Sequence, residues 1–150
     1  MLIPAGRYDE AAGHCEKLPA DFWSRNVCLG RARLWQGRTR EAIQILETAF
    51  NREVEANVAS PVRGILGCAY ARAGRRDEAE KLAAESSLNP FNQAQTFACL
   101  GDKDRTFEAL DRAAAAGPVR MGRMLTRQGY SLLRGDPRLK ALRKKVGLPE

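Results

Sequence analysis

Four stretches of the chain share one pattern, in which a glycine stands between two runs with helical apolar spacing. They are AGRYDEA at 5–11, QGRTREA at 36–42, AGRRDEA at 73–79 and LGDKDRT at 100–106. Glycine often ends a helix because it adopts the left-handed conformation without strain. Self-similarity at this scale is typical of helical hairpins arranged in an array. The pattern therefore predicts a chain built of stacked helix pairs.

The starts of several helices are marked by a capping residue followed by proline. Ser60–Pro61, Asn89–Pro90 and Asp136–Pro137 have this form. Proline suits the first helical position because no N–H is needed there, and the preceding polar side chain can cap the helix. No segment shows the alternation expected of a strand. We therefore predict an all-α protein.

Composition and length are those of a single domain that does not cross a membrane. Hydrophobic residues make up 44% and charged residues 29% of the 150 residues, and no apolar run is long enough to span a bilayer. The first residues lack the basic and apolar regions of a signal peptide, so we expect a cytoplasmic location. The four cysteines lie far apart and His14 is the one histidine, so no metal site is expected. Small buried thiols are favoured over two disulfides.

The positive charge is concentrated at one end of the chain. Residues 119–150 contain nine basic and two acidic side chains, whereas 1–118 contain equal numbers of each. The whole surplus of +7 thus lies in the last segment. Such asymmetry can indicate an acidic partner, nucleic acid or a membrane surface.

The hairpins resemble the tetratricopeptide repeat, whose pattern has Leu-Gly and an aromatic on the first helix and small residues on the second. The matching positions are Leu29, Gly30, Gly37, Ala42, Leu46 and Ala49 in the first hairpin, Leu66, Gly67, Tyr70, Gly74 and Ala79 in the second, and Phe97, Gly101, Leu110, Ala113 and Pro118 in the third. Arg33, Ala83 and Thr106 depart from the pattern. The small residues would let neighbouring helices approach closely.

The C-terminal half is also similar to the repeat regions that end bacterial serine/threonine kinases and winged-helix or cyclase-type regulators. Asp136, Pro137, Arg138 and Leu139 match the segment that closes those arrays. The resemblance implies an α-α superhelix of about three and a half hairpins with a capping helix. In the single domain 1–150, a half repeat occupies 1–20, hairpins occupy 21–58, 61–88 and 89–118, and a basic cap occupies 119–150.

The resemblance implies a scaffold that binds a protein or peptide on the concave face formed by the first helices. The face positions are Arg31, Trp35, Cys68, Arg72, Gln95 and Cys99. The half repeat lacks its first helix, so an uncovered apolar face there is expected to permit self-association. Alternatively, the arginines and Trp35 are an ordinary helix face and core.

The basic cap offers a second hypothesis, a regulatory domain that contacts nucleic acid or another polyanion. Its candidate residues are Arg138, Lys140, Arg143, Lys144 and Lys145. Alternatively, these cations stabilise the C-terminus of the last helix. No catalytic role and no cofactor are expected, because His14 and Cys15 point about 100° apart on a helix and no phosphate-binding loop occurs.

Overall fold

The computed structural model describes residues 7–22, 24–56, 61–117 and 120–149. Within these ranges it contains nine α-helices, one 3-10 helix and no strand, which confirms the predicted all-α class. The α-helices are α1 (Tyr8–Glu16), α2 (Ser24–Trp35), α3 (Thr39–Ala56), α4 (Val62–Arg72), α5 (Arg76–Glu85), α6 (Pro90–Cys99), α7 (Lys103–Ala116), α8 (Met121–Leu125) and α9 (Pro137–Lys145). The 3-10 helix, Gln128–Leu133, lies between α8 and α9.

The helices pack in sequential pairs. Helix α2 packs on α3, α4 on α5 and α6 on α7, while α1 packs against α2 and α9 contacts α7. Helix α4 also contacts α2 and α6. The first helices of the three pairs are therefore neighbours, and residues from all three can share one surface.

Three of the four predicted glycine turns are confirmed, and the fourth, at Gly6, lies outside the described residues. Gly37, Gly74 and Gly101 have φ values of 81°, 77° and 78°, the left-handed region that a side chain disfavours. After Gly74, the N–H of Arg75 donates a hydrogen bond to the carbonyl of Tyr70 at 2.9 Å. The repeated pattern thus ends each first helix by a backbone conformation that depends on glycine.

Two of the predicted caps are also confirmed. The side chain of Asn89 accepts a hydrogen bond from the N–H of Asn92 at 3.3 Å, and that of Asp136 accepts one from the N–H of Arg138 at 3.0 Å. The cap predicted at Ser60 lies outside the described residues. Both confirmed caps precede a proline in the first turn of the helix.

Glycines inside two of the helices allow close contact with a neighbouring helix. A Cβ atom at Gly30 of α2 would lie 2.5 Å from Leu46 Cδ2 of α3. A Cβ atom at Gly67 of α4 would lie 2.3 Å from Thr96 Oγ1 of α6. Because real Cβ atoms do not approach this closely, any larger residue requires Leu46 or Thr96, or the helix that carries it, to shift.

Replacement of Gly67 by alanine is therefore expected to destabilise the protein by a net ~1 kcal/mol. Overpacking against the buried, β-branched Thr96 outweighs the gain of up to ~1 kcal/mol that alanine brings to a helix. Gly13→Ala is the matched control, because nothing lies within 4 Å of a Cβ there and α1 should gain stability. Urea unfolding measures the change in the free energy of unfolding of each variant. A change of the same sign in both variants would contradict close packing at Gly67.

Three arginines connect each hairpin to the following element in the same way. Their guanidinium groups lie 4.3–4.5 Å from the centre of an aromatic ring, with Arg75 over Tyr70, Arg105 over Phe97 and Arg138 over Phe107. Each also pairs with a carboxylate of the preceding hairpin, and the pairs are Arg75–Glu47 at 3.9 Å, Arg105–Glu80 at 2.7 Å and Arg138–Asp104 at 2.6 Å. We call these three arginines the bridging arginines.

Contrary to the sequence-based expectation, the cysteines are paired. One disulfide, Cys15–Cys28, joins α1 to α2, and the other, Cys68–Cys99, joins α4 to α6. Their Cα atoms lie 5.7 Å and 5.0 Å apart, within the ~4.4–6.8 Å that a disulfide requires. The prediction of free thiols is wrong because helix packing brings together cysteines that are distant in sequence. Disulfides are rare in the reducing cytosol, so the pairing speaks against a cytoplasmic location.

Candidate binding surface

The six residues predicted for the concave face come from three neighbouring helices. Arg31 and Trp35 lie on α2, Cys68 and Arg72 on α4, and Gln95 and Cys99 on α6. The contacts of α4 with α2 and α6 place these residues along one side of the array. Exposure, however, divides them into two groups.

Two of the six are not available to a partner. Cys68 has 0% of its surface exposed and Gln95 has 3%. Cys99, which is half-buried, is bonded to Cys68. These positions therefore hold α4 against α6 rather than offering side chains to a ligand.

Arg72 and Trp35 form the accessible part of the predicted face. The guanidinium of Arg72 lies 4.9 Å from the centre of the Trp35 ring, a cation–π distance. Arg72 is exposed and Trp35 is half-buried. Among the described residues Arg72 makes no ion pair, so its charge remains available to an acidic group.

The 3-10 helix covers the adjoining part of the face. It packs against α6, and a Cβ atom at Gly129 would lie 3.7 Å from both Trp35 Cζ2 and Cys99 Sγ. Tyr130 and Leu133 are buried in this contact region, with 3% and 0% of their surfaces exposed. The sequence predicted this segment only as part of the basic cap at 119–150, and no pattern in it indicated a return to the predicted concave face.

Arg31 differs from the other arginine of the predicted face. Its Nε atom is buried and has no hydrogen-bond partner among the described residues. Burial, and to a lesser degree the positive charge of Arg127, lower the pKa of Arg31 to about 10. Arg31 therefore keeps its charge at neutral pH in surroundings that disfavour it.

The residues predicted to contact a polyanion are engaged within the chain to different degrees. Arg138 pairs with Asp136 at 2.9 Å and with Asp104, and Lys145 pairs with Asp111 at 3.1 Å. The Nε of Arg143 donates to the carbonyl oxygen of Pro149 at 2.8 Å. Lys140 and Lys144 are exposed. The ion pairs of Arg138 and Lys145 attach α9 to α7, which is a structural role for part of the basic cap.

In the described ranges, no three histidine, cysteine or acidic side chains are grouped as a metal site would need. Nor does any helix there have the length and apolar character to cross a bilayer. Comparison of the chain with protein-family models, with curated proteins and with solved structures found no match.

Proposed function

We propose that the protein is a non-catalytic binding module that holds a protein or peptide partner on its concave face, in the manner of a tetratricopeptide array. The observation that carries the proposal is the contact of α4 with both α2 and α6, which arranges the first helices of successive hairpins side by side. A peptide lying across such a surface can contact several helices at once. The tetratricopeptide superhelix itself is part of this proposal.

The cation–π pair of Arg72 and Trp35 supports an acidic peptide with an apolar residue nearby. Arginine binds carboxylates through paired hydrogen bonds, and tryptophan supplies a large contact area. Arginine and tryptophan are also the residues that most often dominate binding energy at interfaces. We therefore place the centre of the partner contact at Arg72 and Trp35.

Polyanion binding through the basic cap is the weaker alternative. Arg138 and Lys145 already have carboxylate partners, so a polyanion must compete with these pairs. At Arg72, no carboxylate of the described residues competes for the guanidinium. We therefore favour the concave face over the basic cap.

Charge reversal at Arg72 tests the proposed function. Peptides enriched from a random library on the immobilised protein are labelled, and their dissociation constants are measured by fluorescence anisotropy. Arg72→Glu is expected to weaken binding at least about tenfold, since it replaces attraction to a carboxylate by repulsion and removes the contact with Trp35. Because Arg72 is exposed, its replacement should leave the fold intact.

Arg40→Glu is the matched control, because Arg40 is also exposed but lies on α3. It changes the net charge by the same amount and should leave the dissociation constants within about twofold of wild type. The proposal fails if the two variants weaken binding equally, or if no peptide binds the wild-type protein saturably.

A further inference from the structure

Two arginines without a carboxylate partner lie near each other where the 3-10 helix meets the concave face. Arg31 belongs to α2, and Arg127 directly precedes the 3-10 helix. Arg127 is close enough for its positive charge to act on Arg31. Neither arginine forms an ion pair with a described residue. Two like charges in a partly buried place repel each other unless an anion lies between or beside them.

Two other half-buried arginines have carboxylate partners, whereas Arg25 and Arg63 form no ion pair with a described residue. Arg33 pairs with Glu16 at 2.7 Å, and Arg105 pairs with both Glu80 and Asp102 at 2.7 Å. At Arg33 and Arg105 these carboxylates join neighbouring helices. No described carboxylate pairs with Arg31 or Arg127, so an anion that compensates their charges has to come from outside this part of the chain.

Tyr130 adds a third polar group to the two arginines. Its hydroxyl is buried and has no hydrogen-bond partner among the described residues, although 3% of the residue's surface remains exposed. Its ring position brings it within electrostatic reach of both Arg31 and Arg127. An unpartnered buried hydroxyl costs free energy, and an oxygen acceptor beside it would remove that cost.

We propose that Arg31, Arg127 and Tyr130 form a binding site for an oxyanion, a carboxylate or a phosphate group. Planar guanidinium groups donate paired hydrogen bonds to the oxygens of both kinds of anion, and the phenol supplies one more donor. The anion would neutralise the repulsion of the two arginines and satisfy Arg31 Nε and the Tyr130 hydroxyl. We call these three residues the anion site.

The protonation states suit this role. Burial lowers the pKa of Arg127, as it does that of Arg31, yet both guanidinium groups stay charged at neutral pH. Burial raises the pKa of Tyr130, so its hydroxyl keeps its proton and can donate. All three groups are therefore hydrogen-bond donors under the conditions in which an acidic ligand is ionised.

The inference deepens the proposed function by naming the chemical group that the concave face recognises. This inference rests on the proposed function only if the anion is a carboxylate of the partner. A small inorganic anion can occupy the same site without any peptide. The test below uses small anions alone, so its failure and the failure of peptide binding are separate results.

Thermal unfolding with small anions tests the site. Sodium phosphate and sodium succinate are titrated in parallel to about 10 mM at pH 7.5, with sodium chloride holding the ionic strength constant so that general screening does not change. The wild-type Tm is expected to rise saturably by roughly 3 °C once the anion exceeds its dissociation constant about fivefold. A response to phosphate alone indicates an inorganic or phosphoryl ligand, and one to succinate alone a carboxylate of the partner.

Three variants separate the site from general salt effects. Arg127→Gln should lose the anion response and, without anion, should be at least as stable as wild type because the repulsion of Arg31 is relieved. Tyr130→Phe should fold normally and bind the anion about five- to tenfold more weakly, since it lacks one donor. Arg134→Gln, at an exposed arginine just after the 3-10 helix, should respond like wild type.

The outcomes that overturn the proposal are equally defined. An equal rise in Tm for wild type and Arg127→Gln would show a non-specific effect of excluded anions. Absence of any shift in wild type with both anions would show that no site exists. A large loss of stability in Arg127→Gln without anion would assign the arginine a structural role instead.

Discussion

Removal of the Cys68–Cys99 disulfide is expected to lower the free energy of unfolding by about 4 kcal/mol. The bond joins residues 31 apart in sequence, and closing a loop of that length restricts the unfolded chain by this amount in the chain-entropy model. Cys68→Ala with Cys99→Ala removes the bond and leaves two small side chains in place of the sulfurs. Urea unfolding at neutral pH measures the loss.

The second disulfide provides the comparison. Cys15 and Cys28 are 13 apart, so the same model gives about 3 kcal/mol for the double alanine variant. Reduction of the wild-type protein by dithiothreitol should lower the free energy of unfolding by at least as much as either double alanine replacement. Titration of four free thiols in the unreduced, unfolded protein would contradict both disulfides and restore the expectation of free cysteines.

Arg105→Ala is expected to destabilise the protein by about 2 kcal/mol, the largest effect among the bridging arginines. Its guanidinium donates to both carboxylate oxygens of Glu80 at 2.7 Å, and its Nε donates to Asp102 at 2.7 Å. It also lies 4.3 Å from the centre of the Phe97 ring. Because of this bidentate geometry and the stacking, the partly exposed Arg105 should contribute more to stability than the ~0–1 kcal/mol of an ordinary surface ion pair.

The contribution of Arg105 should depend on pH in a defined direction. Hydrogen bonds from Arg105 lower the pKa values of Glu80 and Asp102 in the folded protein, at Glu80 through the side chain and at Asp102 first through the backbone N–H, which Arg105→Ala keeps. Their stabilising effect is therefore complete above the unfolded pKa values, near 4, and is lost as the pH falls through the lower folded values. The difference in stability between wild type and Arg105→Ala should accordingly shrink as the pH falls below about 4.

Arg76→Ala is the matched control for this experiment. Arg76 also contacts Glu80, at 3.5 Å, but its side chain is 62% exposed and it has no other carboxylate within ion-pair distance among the described residues. Its replacement should change the stability by less than about 0.5 kcal/mol. Equal losses for the two variants would show that the geometry around Arg105 adds nothing to an exposed ion pair.

Local features of the fold were predictable from the sequence. The glycine pattern predicted the turns at Gly37, Gly74 and Gly101 because a positive φ is a property of one residue and its neighbours. The caps at Asn89 and Asp136 were predictable for the same reason. Each depends on hydrogen bonds within a few residues, and such bonds leave a recognisable pattern in the sequence.

Features that depend on packing between distant segments were not predictable. The disulfides require α1 beside α2 and α4 beside α6, and the spacing of the cysteines alone favoured free thiols. Arg31 was predicted for the concave face, but its environment depends on Arg127 and Tyr130, which follow it by more than half the chain. No local pattern reports such a contact, so the anion site had to come from the structure.

The Cys68–Cys99 bond also gives the middle of the array a second covalent connection besides the backbone. Arrays of repeats commonly lose structure from an end, because each unit is held only by its neighbours. Here the turn that contains Leu88, whose side chain is 98% exposed, lies within the ring that the disulfide closes. A protease that cut the chain beside Leu88 would leave two polypeptides still joined through sulfur. In an oxidising environment α4 and α6 would thus remain attached to each other after such a cut.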